Sequence, residues 1–327
     1  MQMRYARFGA EQHRTRLVRE IGEDYTRGGD DIVAGPTRAL NNATLREALS
    51  HLRVPLMQGL VHPPIDQWDV SGVTDFALLF RDWPEFNEPI GAWDVSGATT
   101  MRGMFYQCHA FNQRISSWDV RGVTDFSYMF AFAKSFDSPI GDWDVSSATS
   151  MRSMFIGCQT FNRPIGNWDV RRVRDMRRMF QGARSFNQPL SAEAGVRGWD
   201  VRQVGSFRSM FASCAALNVA FRWSMPSATS LVDMFCSASS LNSDLEFRNT
   251  MQVGDVSGMF YRATALRRTV VLDMSGVRLA QEMFYECPDE AMVDASSTDR
   301  AAIPALRRQL GTRLRVYGTR KRVRDLT

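Results

Sequence analysis

The chain has 327 residues, 44% hydrophobic and 23% charged, with a net charge of +5, the balance of a folded protein rather than a disordered or fibrous one. No apolar run reaches the ~20 residues of a membrane-spanning helix, and the opening MQMRYARFGAEQHRTRLVREIG has basic residues without the apolar core of a signal peptide. Only Lys134 and Lys321 among the basic residues are not Arg, a bias that either serves phosphate and carboxylate contacts or comes from coding bias toward Arg.

Residues 1 to about 60 stand outside any period. The first 35 are Arg-rich, mixed in charge and interrupted by Gly28, Gly29 and Gly35. TRALNNATLREALSHL then predicts a helix capped by Asn42 or Thr44, with Leu45, Leu49 and Leu52 on one face. Its expected role is to cover the apolar edge of the first Trp-Asp-Val coil.

Residues 61–287 are written in one repeating unit, clearest in MRGMFYQCHAFNQRISSWDVRGV from Met101 to Val123. The Phe of its Met-Phe pair recurs at Phe80, Phe105, Phe130, Phe155, Phe180, Phe211, Phe235, Phe260 and Phe284, in steps of 25, 25, 25, 25, 31, 24, 25 and 24. Nine copies at such a period indicate a repeat architecture. Within a copy, Met101, Met104, Phe105 and Cys108 have the i, i+3, i+4, i+7 spacing of one helix face. Thr74-Asp75, Thr124-Asp125 and Thr149-Ser150 stand where N-caps are expected, and Gly157 and Gly182 where such helices end. Ile90, Trp93 and Val95 read as a short strand with Trp and Val inward and Asp94 outward. Cys108, Cys158, Cys214 and Cys287 share a slot that other copies fill with Ala, so the five cysteines are read as free, mostly buried thiols. The prediction is an α/β, right-handed leucine-rich-repeat-like solenoid of about nine strand–helix repeats of 24–25 residues, with helical caps.

The copies break down late. An insert near 191–198, SAEAGVRG, predicts a loop at one edge, either a tolerated surface loop or part of a binding face. Leu217, Leu241 and Leu266 replace a Phe, and Trp-Asp-Val ends at Val201. Residues 288–327 predict a closing helix bearing Ile303, Leu306 and Leu310, then a basic tail with Arg320, Lys321, Arg322 and Arg324. That tail is either a solvated cap or a docking site for an anionic partner.

The unit FNxPIGxWDVSxVTDMxxMF resembles the repeat of the BspA-like, DUF285-type leucine-rich-repeat family, over about 220 residues. That family is known from bacterial and mycoplasmal surface lipoproteins, protists and large DNA viruses. The resemblance implies a non-catalytic surface or interaction protein. The missing export signal and lipoprotein Cys set this chain apart from the bacterial members, and the expected location is intracellular or virion-associated.

Two groups of residues invite a chemical reading. Asp69, Asp94, Asp119, Asp144, Asp169 and Asp200 would stack at ~4.8 Å along the strands. They form either a carboxylate ladder for a cation or basic partner, or a set of Asx turns that satisfy their own backbone. Arg171, Arg172, Arg174, Arg177, Arg178 and Arg184 crowd the fifth copy, although strand and helix-start positions would spread them over at least two faces. An Asn column (Asn87, Asn112, Asn162, Asn187, Asn218, Asn242) reads as a ladder that satisfies backbone groups. The four His have no metal-ligand spacing, and no nucleophile elbow, phosphate loop or Cys-x-x-Cys is present. The expectation is a non-enzymatic scaffold for protein–protein interaction, without cofactor or metal. The alternatives are a structural subunit of a large assembly such as a virus particle or organellar complex, or nucleic-acid docking through the Arg-rich ends.

Overall fold

The computed structural model describes residues 39–53, 64–193, 195–295 and 303–315. Its repeating element is a run of tight turns. In the coil that begins at Met101, Met104 N–H donates to Met101 O, Tyr106 N–H to Gly103 O and Cys108 N–H to Phe105 O, at 3.0–3.1 Å. Gly103 and Gln107 end two of these turns with φ of 59° and 60°. A left-handed residue closes a three-residue turn but turns the chain off the right-handed helical path. Met101, Met104, Phe105 and Cys108 are therefore all buried in helix-like spacing without a helix.

The leucine-rich-repeat-like solenoid of strand–helix units is thus corrected. Among the described residues there are two α-helices, α1 (Asn42–Arg53) and α2 (Ile303–Leu310), both outside the repeats. The Thr residues expected to cap repeat helices do something else. Thr124 and Thr149 each send N–H and Oγ–H to the carbonyl of the residue one coil back, as Thr99 also does, and Thr74 N–H donates to Asn42 Oδ1. Gly157 and Gly182 are not helix ends but left-handed turn residues, with φ of 70° and 73°.

Coils join through the turns' alternate N–H groups. Phe76, Leu78, Phe80 and Asp82 donate to the carbonyls of Thr100, Arg102, Met104 and Tyr106 at 2.8–3.1 Å. A parallel ladder of single bridges runs beside them through Asp75, Thr100, Asp125, Ser150, Asp175, Ser206, Ser230, Asp255 and Leu279. Its steps reproduce those of the Phe column, so the period read from side chains is the register of the backbone.

Among the described residues strands form only in the later coils: β1 (Phe221–Ser224), β2 (Leu245–Arg248), β3 (Thr269–Leu272), β4 (Met292–Asp294) and β5 (Leu314–Arg315), all parallel and paired in that order. The earlier coils carry Pro-Ile-Gly or a close variant on this wall. Pro has no N–H for a ladder, and the segment folds as a turn in which Trp93 N–H donates to Ile90 O. Gly91 is required there, because a Cβ would lie 2.3 Å from Arg114 O. The expected Ile-x-x-Trp-x-Val strand is therefore absent, although Trp93 and Val95 are buried and Asp94 is exposed.

Phe rings form the spine of the core. From Phe80 to Phe284 each ring of the repeat column stacks on the next at 5.4–5.7 Å. A second column, Phe86, Phe111, Phe136, Phe161 and Phe186, follows at 5.8–6.0 Å. Truncating one such ring to Ala costs about 3–5 kcal/mol.

A helix stands at each end of the described coils. Asn41, one residue before the expected cap, accepts N–H bonds from Ala43 and Thr44 through Oδ1, while Thr44 Oγ1 accepts from Asn41 N–H. This frees Asn42 to serve the first coil. Its Oδ1 accepts from Thr74 and Asp75 N–H, replacing the carbonyl of a preceding coil, and Arg46 donates to the otherwise bare carbonyls of Asp75 and Ala77. At the far end Gln309 of α2 accepts from Ala280 N–H and donates to Arg278 O.

Candidate functional site

The Asp column is a set of Asx turns. In Asp69, Asp94, Asp119, Asp144, Asp169 and Asp200, Oδ1 accepts the N–H two residues on. The hydroxyls of Ser71, Ser96 and Ser146, with the N–H groups of the same residues, hold Asp69, Asp94 and Asp144 below the usual carboxylate range. The guanidinium groups of Arg171 and Arg202 do the same for Asp169 and Asp200. Asp69 also feels the repulsion of Asp94. Farther along, the column alternates with Arg: Arg121 acts on Asp144, and Arg171 on Asp200. Among the described residues no three His, Cys, Asp or Glu side chains come together as metal ligands.

Other regular columns are also committed to the stack. Each Asn Oδ1 from Asn87 to Asn242 accepts an N–H of the next coil at 2.8–2.9 Å, with Asp137 completing the series. The Asn residues are exposed or half-buried rather than buried. Cys108, Cys158, Cys214 and Cys287 donate Sγ–H to the carbonyls of Phe80, Phe130, Phe180 and Phe260. Burial raises the Cys158 thiol well above its ordinary range, and Cys158, Cys214, Cys236 and Cys287 form no disulfide among the described residues.

The Arg cluster does not make one patch. Arg171 pairs with Asp169 and Arg177 with half-buried Asp175, each at 2.6 Å. Arg172 and Arg174 are exposed, and Arg178 is exposed at a left-handed turn position. Arg320, Lys321, Arg322 and Arg324 lie outside the described residues, as does the Arg-rich segment 1–35.

The feature that regular reading misses is a cavity of about 390 Å³ at the insert. The insert folds back on itself, with Glu193 and Val196 bridged antiparallel. Gly198 has φ of 79°, and a Cβ on it would lie 2.3 Å from Ala192 N. Beneath, the cavity is lined by Arg171, Arg197 and Arg222, by Asp169 and Asp200, and by Trp223. The three Arg come from successive coils about one period apart, which is the signal that could have found them.

Their pairing is unequal. Arg171 is held bidentately by Asp169, and Asp200 by Arg202. Arg197 has its N–H on Asn167 Oδ1, but its guanidinium makes no hydrogen bond or ion pair among the described residues. Arg222 is 3.6 Å from Asp244, which Arg268 holds more closely at 2.7 Å. The indole ladder breaks at the same place. Trp93, Trp118, Trp143, Trp168 and Trp199 donate Nε1–H to the carbonyls of Ile65, Ile90, Ile115, Ile140 and Ile165 at 2.7–3.2 Å. Trp223 lies in extended β1 instead of an Ile-x-x-Trp turn, and its buried Nε1 has no acceptor.

No helix among the described residues is long and apolar enough to cross a membrane. No curated protein and no solved structure matches the chain. Four overlapping stretches, residues 56–155, 111–194, 138–222 and 191–293, match the DUF285 family, described as Mycoplasma protein of unknown function. Together they run through the coils that carry the Phe, Trp, Asp and Asn columns, and the chain belongs to the DUF285 family.

Proposed function

We propose that the chain is a non-enzymatic scaffold for protein–protein interaction. The observation that carries this reading is the fate of its chemically capable side chains. Indole N–H, Asp and Asn Oδ1 and thiol S–H groups recur in columns, and each column serves the backbone of its own or the neighbouring coil. Such a surface has few free reactive groups and a fixed shape, which favours recognition over catalysis. The break in the repeat supplies the concave feature on which a partner can register. Cys158, Cys214, Cys236 and Cys287, which form no disulfide among the described residues, agree with a reducing, intracellular setting.

The test is capture from a nuclease-treated native extract with the tagged full chain. The scaffold reading predicts a defined protein partner at stoichiometric level. Recovery of no protein partner, or of a partner lost on nuclease treatment, contradicts it; the latter would indicate docking through nucleic acid.

A further inference from the structure

We propose that the cavity under the insert grips a carboxylate of the partner polypeptide. This rests on the scaffold reading for the source of the ligand, but the chemistry is that of the cavity itself. Three guanidinium groups line it, and two of the cavity's own carboxylates oppose them. Asp169 is satisfied by Arg171, and Asp200 by Arg202. The least committed positive charge is that of Arg197, which acts on Asp169 through space without an ion pair, together with the loosely held Arg222.

An excess this small suits a monoanion rather than a phosphate dianion, which Asp169 and Asp200 would repel. The donors have the matching form. A guanidinium presents a planar fork of N–H groups to a carboxylate, and an indole N–H is a donor with no acceptor function. Trp223 Nε1–H is the donor in this indole series left without a carbonyl, and a buried unpaired donor costs about 1–3 kcal/mol. A carboxylate arriving in the cavity would pair Arg197 and Arg222 beside the Trp223 ring that lines it, and the buried Trp223 indole would report its arrival. A chain made only of regular coils would lack the insert residues Ser191, Ala192, Arg197 and Gly198 that line the cavity, so the insert makes the site.

The experiment uses the full chain with 15N-labelled indoles. Its eight Trp residues give a sparse spectrum, in which Trp223→Phe identifies the Trp223 signal. Three blocked tripeptides are titrated: Ac-Gly-Glu-Gly-amide, Ac-Gly-Gln-Gly with a free C-terminus, and Ac-Gly-Gln-Gly-amide. Inorganic phosphate is the fourth probe. The proposal predicts that a carboxylate peptide moves the Trp223 indole signal saturably, while the neutral peptide does not. Which of the two acidic peptides acts tells whether a side chain or a C-terminus is bound. Arg197→Gln and Arg222→Gln should each weaken the response by about tenfold or more, with the indole signals of Trp residues outside the cavity unchanged, and Arg184→Gln should leave it intact. The proposal is overturned if no peptide moves the signal, if the neutral peptide or phosphate does so as well as the carboxylates, or if the Arg variants respond like wild type. Failure of partner capture would remove the scaffold reading and leave this titration standing, so the two can fail separately.

Discussion

Single residues here carry backbone conformations that most side chains avoid. Among the described residues fifteen non-Gly residues have positive φ, including Leu78, Tyr128, Phe132 and Ser213. Ser213 is exposed at φ 60° and its side chain holds no other group. Ser213→Gly should therefore raise stability by ~0.5–1 kcal/mol in urea unfolding, strain relief exceeding the added backbone entropy. Gly157→Ala should lower it by ~1–2 kcal/mol or more, since φ is 70° and the new Cβ would lie 2.6 Å from Phe132 Cδ1. The Asp turns set an acid limit. Asp69, Asp94, Asp144, Asp169 and Asp200 all have folded-state values below their ordinary one. The unfolded chain then binds protons first, so their contribution is complete above about pH 5 and is lost as pH falls through the lowered values. Urea midpoints should fall below about pH 5, and less steeply in Asp144→Asn/Asp169→Asn.

At the scale of elements, the turn run explains why the sequence suggests helices. Consecutive three-residue turns put residues three, four and seven apart on one side, the spacing of a helix stripe. The left-handed residues that separate the two cases are mostly ordinary side chains, such as Gln107 and Arg178, without the glycine that would mark them. The described repeats should therefore add little helical signal to the far-UV circular dichroism, whereas nine repeat helices would dominate it at 222 nm. The terminal helices were legible because their Leu stripes are regular and long: Leu45 and Leu49 are buried in α1, Leu306 and Leu310 in α2. What they do was less legible, since it depends on which coil edge each polar side chain meets. Asn42→Ala removes the acceptor for Thr74 and Asp75 N–H, and should cost ~1–3 kcal/mol. Hydrogen exchange should show the loss at the first coil, ahead of the middle coils.

Over the whole molecule, regularity and recognition are separated. The ring columns, the indole ladder and the Asn ladder tie each coil to its neighbours, and the period alone made those columns readable. The outward Asp column drew attention as a ligand face, yet its oxygens are turned onto their own loops. The cavity arises where the period fails, from an insert, from Arg residues in three coils and from an indole moved out of its turn. The insert and Arg171 stand out in the sequence as a break and a cluster, but Arg197, Arg222 and Trp223 belong to no motif, so their meeting is not legible there. The account is tested most directly by comparing partner capture by three folded chains: wild type, Arg197→Gln/Arg222→Gln and Asp94→Ser/Asp119→Ser. It predicts that the Arg pair loses the partner and the Asp pair retains it. Loss of the partner with the Asp pair and its retention with the Arg pair would contradict the account.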